Sequence, residues 1–201
     1  MTGSCTYQEF DPDSLNPIGY ESQVRIKELE GIKSSLVGKQ VLDIGTNSGL
    51  VAIHAARWGA KNVLAVDVNR ELILSLQEIS TRHNLPIAPS VCGFTELSAE
   101  IFRSEIVLCL EVIHWLFHQG HQVDMIVSRL DSLTISTLII ETPWDKTEKS
   151  IQARMNSGLE DYSLPNLIEK FLLRGFRVEI LGFAHYFTDM SHRVLLRFDR
   201  M

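Results

Sequence analysis

Residues 39–69, KQVLDIGTNSGLVAIHAARWGAKNVLAVDVN, constrain the fold more than any other part of this chain. KQVLDIG is a short apolar run bounded by glycines, the pattern of a strand buried on both faces of a parallel sheet. LVAIHAARWGA reads as a helix with Gly59 as its C-terminal stop, and NVLAVDV is a second strand. The alternation then continues. NRELILSLQEISTRHN has helical periodicity, IAPSVCG is a weaker third strand and EIVLCLE a strong fourth. HQVDMIVSRLDS is a further helix, STLIIET a fifth strand, and SLPNLIEKFLLRG a helix opened by Ser163 with Pro165 in its first turn. FRVEILGFAHYF and HRVLLRFD close the chain as two strands with no helix between them. Repeated strand–helix–strand units predict an α/β fold with a mostly parallel sheet and helices on both faces. The terminal pair predicts one antiparallel strand.

At 201 residues the chain is expected to form a single domain. Residues 1–38 read as an N-terminal arm and helix, 39–145 as the binding core, and 146–201 as a segment carrying the terminal strands. Residues 1–19 are polar and read as irregular. Tyr20–Leu36 is predicted as one amphipathic helix ended by Gly38, and Pro143–Glu160 lacks periodicity and is a candidate lid. A net charge of −6 offers no bulk attraction to nucleic acid. Cys5, Cys92 and Cys109 are odd in number and have no CxxC spacing, which argues against a disulfide framework or a structural zinc site. With no basic, apolar leader and no long apolar run, the expectation is a cytoplasmic protein that does not span a membrane.

The first strand–helix junction, VLDIGTNSGL, carries Asp43, Gly45, Thr46, Asn47 and Gly49. Glycines let the chain turn sharply and let a ligand approach the backbone. Open α/β sheets bind ligands beyond the carboxyl ends of their strands, where this turn falls. Asp67 ends the second strand, and an acid about 20 residues beyond such a turn is placed to accept both hydroxyls of a ribose. The plainer alternative is that the glycines only turn the chain and Asp67 only caps a helix. A dinucleotide fingerprint reads GxGxxG, whereas here Asn47 replaces the middle glycine and Asp43 precedes the turn. A carboxylate there suits the cationic amino-acid end of S-adenosylmethionine (SAM) better than a pyrophosphate.

VLDIGTNSG, LAVDV and IVLCLEVIHW together resemble the class I SAM-dependent methyltransferases, a seven-stranded Rossmann-like family, over residues 39–145. The resemblance implies SAM as cofactor, held by Asp43, Gly45, Thr46, Asn47, Gly49, Asp67 and Val68, with Gly93, Phe94 and Leu110 nearby. The family often has an acid facing the adenine amine; here Cys92-Gly93-Phe94-Thr95-Glu96 offers only Thr95 or Glu96. LDIGTNSGL, EVIHWLFH and LIIETPW resemble the wobble-uridine tRNA carboxymethyltransferase group. GTNSGLVAIHAARWGAKNVLAVDVN with CLEVIHW is also similar to the bicoid-interacting RNA 5′-phosphate methyltransferases.

Acceptor chemistry is expected after the fourth strand, at Glu111, His114, Trp115 and His118. A methyl transfer needs alignment and often the removal of one proton, for which imidazole suits neutral pH. His114 is the first candidate base and His118 the second, with Glu111 orienting the acceptor or binding its cationic group. Trp115 either stacks on a ring or packs a short helix. His114, His118 and His121 invite a metal reading, but the Glu-His pair of the small-RNA 2′-O-methyltransferases is absent, and no metal is expected. Glu141 and Trp144 are candidates for the pocket edge. Tyr20 and Arg25 either reach a cofactor carboxylate or lie on a surface helix, and Arg154, His185, Tyr186 and His192 are candidates by location. The expected activity is methyl transfer to O or N of a small polar metabolite, sugar or natural product. The alternatives are an RNA methyltransferase or a non-catalytic SAM-binding module.

Overall fold

The computed structural model describes residues 8–143, 163–184 and 193–201. The chain divides into two units, Met1–Leu97 and Ser98–Met201.

The first unit opens with two short antiparallel strands, β1 (Glu9–Phe10) and β2 (Pro17–Ile18), where the sequence alone predicts an irregular arm. A turn built on Asp11 joins them: its Oδ1 accepts the Asp13 and Ser14 N–H groups, and its carbonyl accepts Leu15 N–H. These strands have two residues each, too few to leave a period-2 pattern in the sequence. Helix α1 (Gly19–Leu29) gives way to a 3-10 turn over Glu30–Ile32, then α2 (Lys33–Leu36). The single helix predicted there is interrupted at Gly31, the residue that holds a helix interior least well.

Strand β3 (Gln40–Ile44), helix α3 (Leu50–Arg57), strand β4 (Asn62–Asp67), helix α4 (Arg70–Arg82) and strand β5 (Ile87–Val91) follow. The strands pair in parallel in the order β5-β4-β3. Every residue from Leu50 to Ala56 of α3 is buried, which explains a helix apolar all round. Burial, assisted by the Arg57 charge, pushes the His54 imidazole down to about 4, so it packs neutral against Trp58. Helix α4 buries only Ile73, Leu76, Ile79 and Ser80, a stripe at helical spacing. Pro89 in β5 accounts for the weak strand signal there, since proline cannot donate to a ladder.

The second unit contains α5 (Ala99–Phe102), β6 (Ser104–Leu110), α6 (Ile113–His118), α7 (Val123–Leu133) and β7 (Thr134–Pro143). It continues with α8 (Leu164–Leu172), β8 (Phe176–Ala184) and β9 (Arg193–Arg200). The order is β6-β7-β9-β8, with β6 and β7 parallel and β9 antiparallel to both its neighbours. Ser163 caps α8 by accepting Asn166 N–H at 3.2 Å, with proline in the first turn, as the sequence predicts. Phe171 packs between Phe176 and Phe198, so the helix and the terminal pair share one core. The strands of the two units are the seven of a mostly parallel α/β fold with one antiparallel strand near its end. No helix among the described residues is long and apolar enough to cross a membrane.

Candidate functional site

In the first unit, β3 ends at Ile44 and the chain turns through three positive φ angles: 71° at Gly45, 53° at Asn47 and 91° at Gly49. Asparagine is among the residues that tolerate the left-handed region, which explains how Asn47 stands where a glycine is usual. Gly45 and Thr46 donate their N–H groups to the Val66 carbonyl, tying the turn to β4. A Cβ on Gly49 would lie 2.4 Å from the buried Leu76 side chain, so this glycine admits α4 against the turn.

Asp67 stands at the end of β4 with Oδ2 accepting Asn47 N–H at 2.9 Å and Oδ1 accepting Asn69 N–H at 2.8 Å. Asn69, not Asp67, caps α4: its side chain accepts from Glu71 and Leu72. Thus the helix-cap alternative for Asp67 does not hold. A carboxylate has about four lone-pair sites, and Asp67 uses one on each oxygen here, so both can still accept from a diol. The Ser48 hydroxyl donates to the Gln8 carbonyl, bringing the N-terminal segment onto the turn. Arg57 adds a bond to the Leu15 carbonyl at 2.9 Å.

Beneath the turn, Asp43 is buried and accepts the Thr46 hydroxyl at 2.7 Å. Burial pushes its carboxyl up to about 6; the Thr46 bond and the Arg25 charge oppose the rise, and the Asp67 charge adds to it. Arg25, on α1, is only 1% exposed. The surface-helix alternative is therefore wrong for Arg25, because β1, β2 and the chain around them are folded against α1. It holds for Tyr20, which is exposed.

The unfolded Asp43 releases its proton near 3.8 and the folded one near 6, so the folded state binds more protons between those values. Stability from this group therefore falls as pH rises from about 4 to 6, and the full cost remains above 6. Asp43→Asn keeps an acceptor for Thr46 and removes that cost. It is expected to raise stability at pH 7–8 by up to about 3 kcal/mol, with the gain vanishing near pH 4. Thermal unfolding of both proteins across that range checks it. Equal melting at every pH contradicts it.

The other expected cofactor residues are placed unevenly. Val68 is 71% exposed beside Asp67, whereas Phe94 packs in the core. Gly93 donates its N–H to Glu96 Oε2 at 2.6 Å, closing a short 3-10 turn over Phe94–Glu96. Glu96 thus serves that turn, and Thr95 is exposed.

In the second unit, Leu110 is buried at the end of β6, and Glu111 follows it with a φ of 61°. The Glu111 N–H donates to the Glu141 carbonyl, and its carboxylate meets Arg193 Nη1 at 2.6 Å. Arg193 opens β9, a position that sequence reading passed over; the only signal was a charged residue at the start of an apolar strand. His114 is partly buried on α6, while Trp115 and His118 are exposed and Trp115 contacts both histidine rings. Glu141 is buried at the end of β7. Among the described residues, no group of three or more His, Cys, Asp or Glu side chains is arranged to hold a metal. Trp144, Arg154, His185, Tyr186 and His192, and the candidate lid beyond Pro143, lie outside the described residues.

Residues 22–86 match the family model of the ribosomal protein L11 methyltransferase (PrmA). The tRNA U34 carboxymethyltransferase of Methylococcus capsulatus is 28% identical over 131 residues, which is 61% of this chain and 39% of that protein. The ubiquinone biosynthesis O-methyltransferase of Cupriavidus pinatubonensis is 28% identical over 111 residues, 52% of this chain and 42% of that one. The matches thus span less than half the length of either curated relative. Among solved structures, the SAM-bound magnesium protoporphyrin IX methyltransferase of Synechocystis PCC 6803 superposes with a TM-score of 0.61. That likeness has 16% identity and covers 94% of this chain and 79% of that one. The chain has the fold of the class I SAM-dependent methyltransferases. SAM is the cofactor that goes with this fold.

Proposed function

We propose that this chain is a SAM-dependent methyltransferase acting on O or N of a small polar metabolite, sugar or natural product. The observation that carries the proposal is Asp67, held at the glycine turn by Asn47 and Asn69 N–H groups with acceptor capacity to spare on both oxygens. Asp67 binds the ribose diol, the backbone of Gly45 to Gly49 lines the approach, and exposed Val68 offers an apolar contact for the adenine. Buried Asp43 fixes the turn through Thr46 and supplies negative potential for an ammonium group. When bound, SAM supplies an electrophilic methyl group on a cationic sulfur. On the acceptor side, Glu111 accepts a hydrogen bond from the acceptor, and His114 takes its proton as the new bond forms.

Matches to proteins named for a ribosomal protein, a tRNA and ubiquinone leave RNA as the second reading. The net charge of −6 favours the small acceptor. Incubating the protein with SAM labelled on the methyl group, and with cell extract separated into small-molecule, RNA and protein fractions, tests the reading. Label in the small-molecule fraction is expected. Label confined to RNA supports the second reading, and no transfer to any fraction contradicts both.

A further inference from the structure

Glu111 and Arg193 come from β6 and β9, two strands separated by β7. Arg193 reaches the carboxyl end of β6 because β9 runs antiparallel and begins opposite Pro143, the last residue of β7. The two side chains meet at 2.6 Å with only 9% and 4% of their surfaces exposed. A buried ion pair is a poor device for stability alone, since apolar residues of the same volume fill the space without desolvating two charges. Glu111 also carries a φ of 61°, a left-handed backbone that a residue with a Cβ adopts at a cost. Two independent costs thus fall on one residue, directly after the strand expected to lead into the acceptor chemistry.

We infer that Arg193 is a positioning residue, holding the Glu111 carboxylate charged and in one orientation for an acceptor that presents an O–H or N–H donor. This inference rests on the methyltransferase reading and adds to it the hydrogen-bonding character of the acceptor. Among the described residues, the titratable groups on neighbouring elements include His114 on α6, three positions after Glu111, and Glu141 on β7, whose carbonyl accepts the Glu111 N–H.

The test uses the full chain carrying Arg193→Met or Arg193→Lys. Carboxyl carbon NMR of labelled glutamate follows Glu111, assigned by the signal lost in Glu111→Gln. Glu111 is expected to titrate at higher pH in Arg193→Met than in wild type, with Arg193→Lys between them. Affinity for S-adenosylhomocysteine is expected to stay within about twofold, because no cofactor-binding residue is changed. Methyl transfer to the labelled fraction is expected to fall tenfold or more at pH 6 in Arg193→Met and to recover towards wild type by pH 9, as the carboxyl ionises. An unchanged Glu111 titration overturns the inference, and so does a loss of rate that is the same at every pH. If Arg193→Met does not fold, Arg193→Lys gives the same comparison with a smaller shift. Failure of wild type to bind S-adenosylhomocysteine contradicts the methyltransferase reading, while the titration still decides whether Arg193 holds Glu111.

Discussion

His114→Ala is expected to lower kcat by about 10²–10⁴-fold while leaving affinity for S-adenosylhomocysteine nearly unchanged. The expectation follows from a partly buried imidazole three residues after Glu111, on a helix whose apolar residues Ile113, Leu116 and Phe117 are buried. Those three anchor the helix, so removing the ring leaves it in place. Only neutral imidazole accepts a proton, so the wild-type rate should rise with pH through the imidazole titration and the variant's should not. Steady-state kinetics across pH 5–9, with the acceptor found in the fractionation experiment, measure both. Loss of folding in the variant would make His114 a packing residue. Unchanged turnover would move the base elsewhere, with exposed His118 next.

Gly49→Ala is expected to destabilise the fold by about 2–4 kcal/mol and to weaken cofactor binding with it. Its φ of 91° lies where a Cβ is strained, and the added carbon would come within 2.4 Å of a Leu76 methyl. Left-handed backbone costs roughly 1–2 kcal/mol, and overpacking a filled core adds about 1–3 kcal/mol. Leu76 is fully buried, so its methyls can give way only by shifting within the core. At about 2–4 °C per kcal/mol for a domain of this size, the melting temperature should fall by roughly 5–15 °C. Leu76→Ala removes the obstructing atoms, so the double variant should lose less stability than the two single losses combined. Strict additivity in that cycle would place the cause outside the Gly49–Leu76 contact.

What the sequence made legible is what is local in the chain. The run from Val41 to Asp67 is read correctly because strand, turn and helix each leave their own period, and because Asp67 lies at the end of an apolar run. Ser163 and Pro165 are legible for the same reason: a cap and a first-turn proline act on the residues beside them. Arg25 and Arg193 were misjudged or missed because periodicity reports a residue's own element and says nothing of what covers it. Arg25 is buried where the chain around β1 and β2 is folded against α1. Arg193 meets Glu111 across an intervening strand, 82 residues earlier in the chain. The Asp43–Thr46 bond lay within reach of the sequence, three residues apart, but its burial did not.

The central claim is that the turn after β3 and the carboxylate of Asp67 bind SAM. Titration calorimetry with S-adenosylhomocysteine, on wild type and on Asp67→Ala, tests it most directly. The account predicts micromolar binding to wild type, about 8 kcal/mol, with no competition from NAD. It predicts a loss of about 1.5–3 kcal/mol in Asp67→Ala, as hydrogen bonds to a charged group are removed. Absence of heat with S-adenosylhomocysteine, together with binding of NAD, would contradict it.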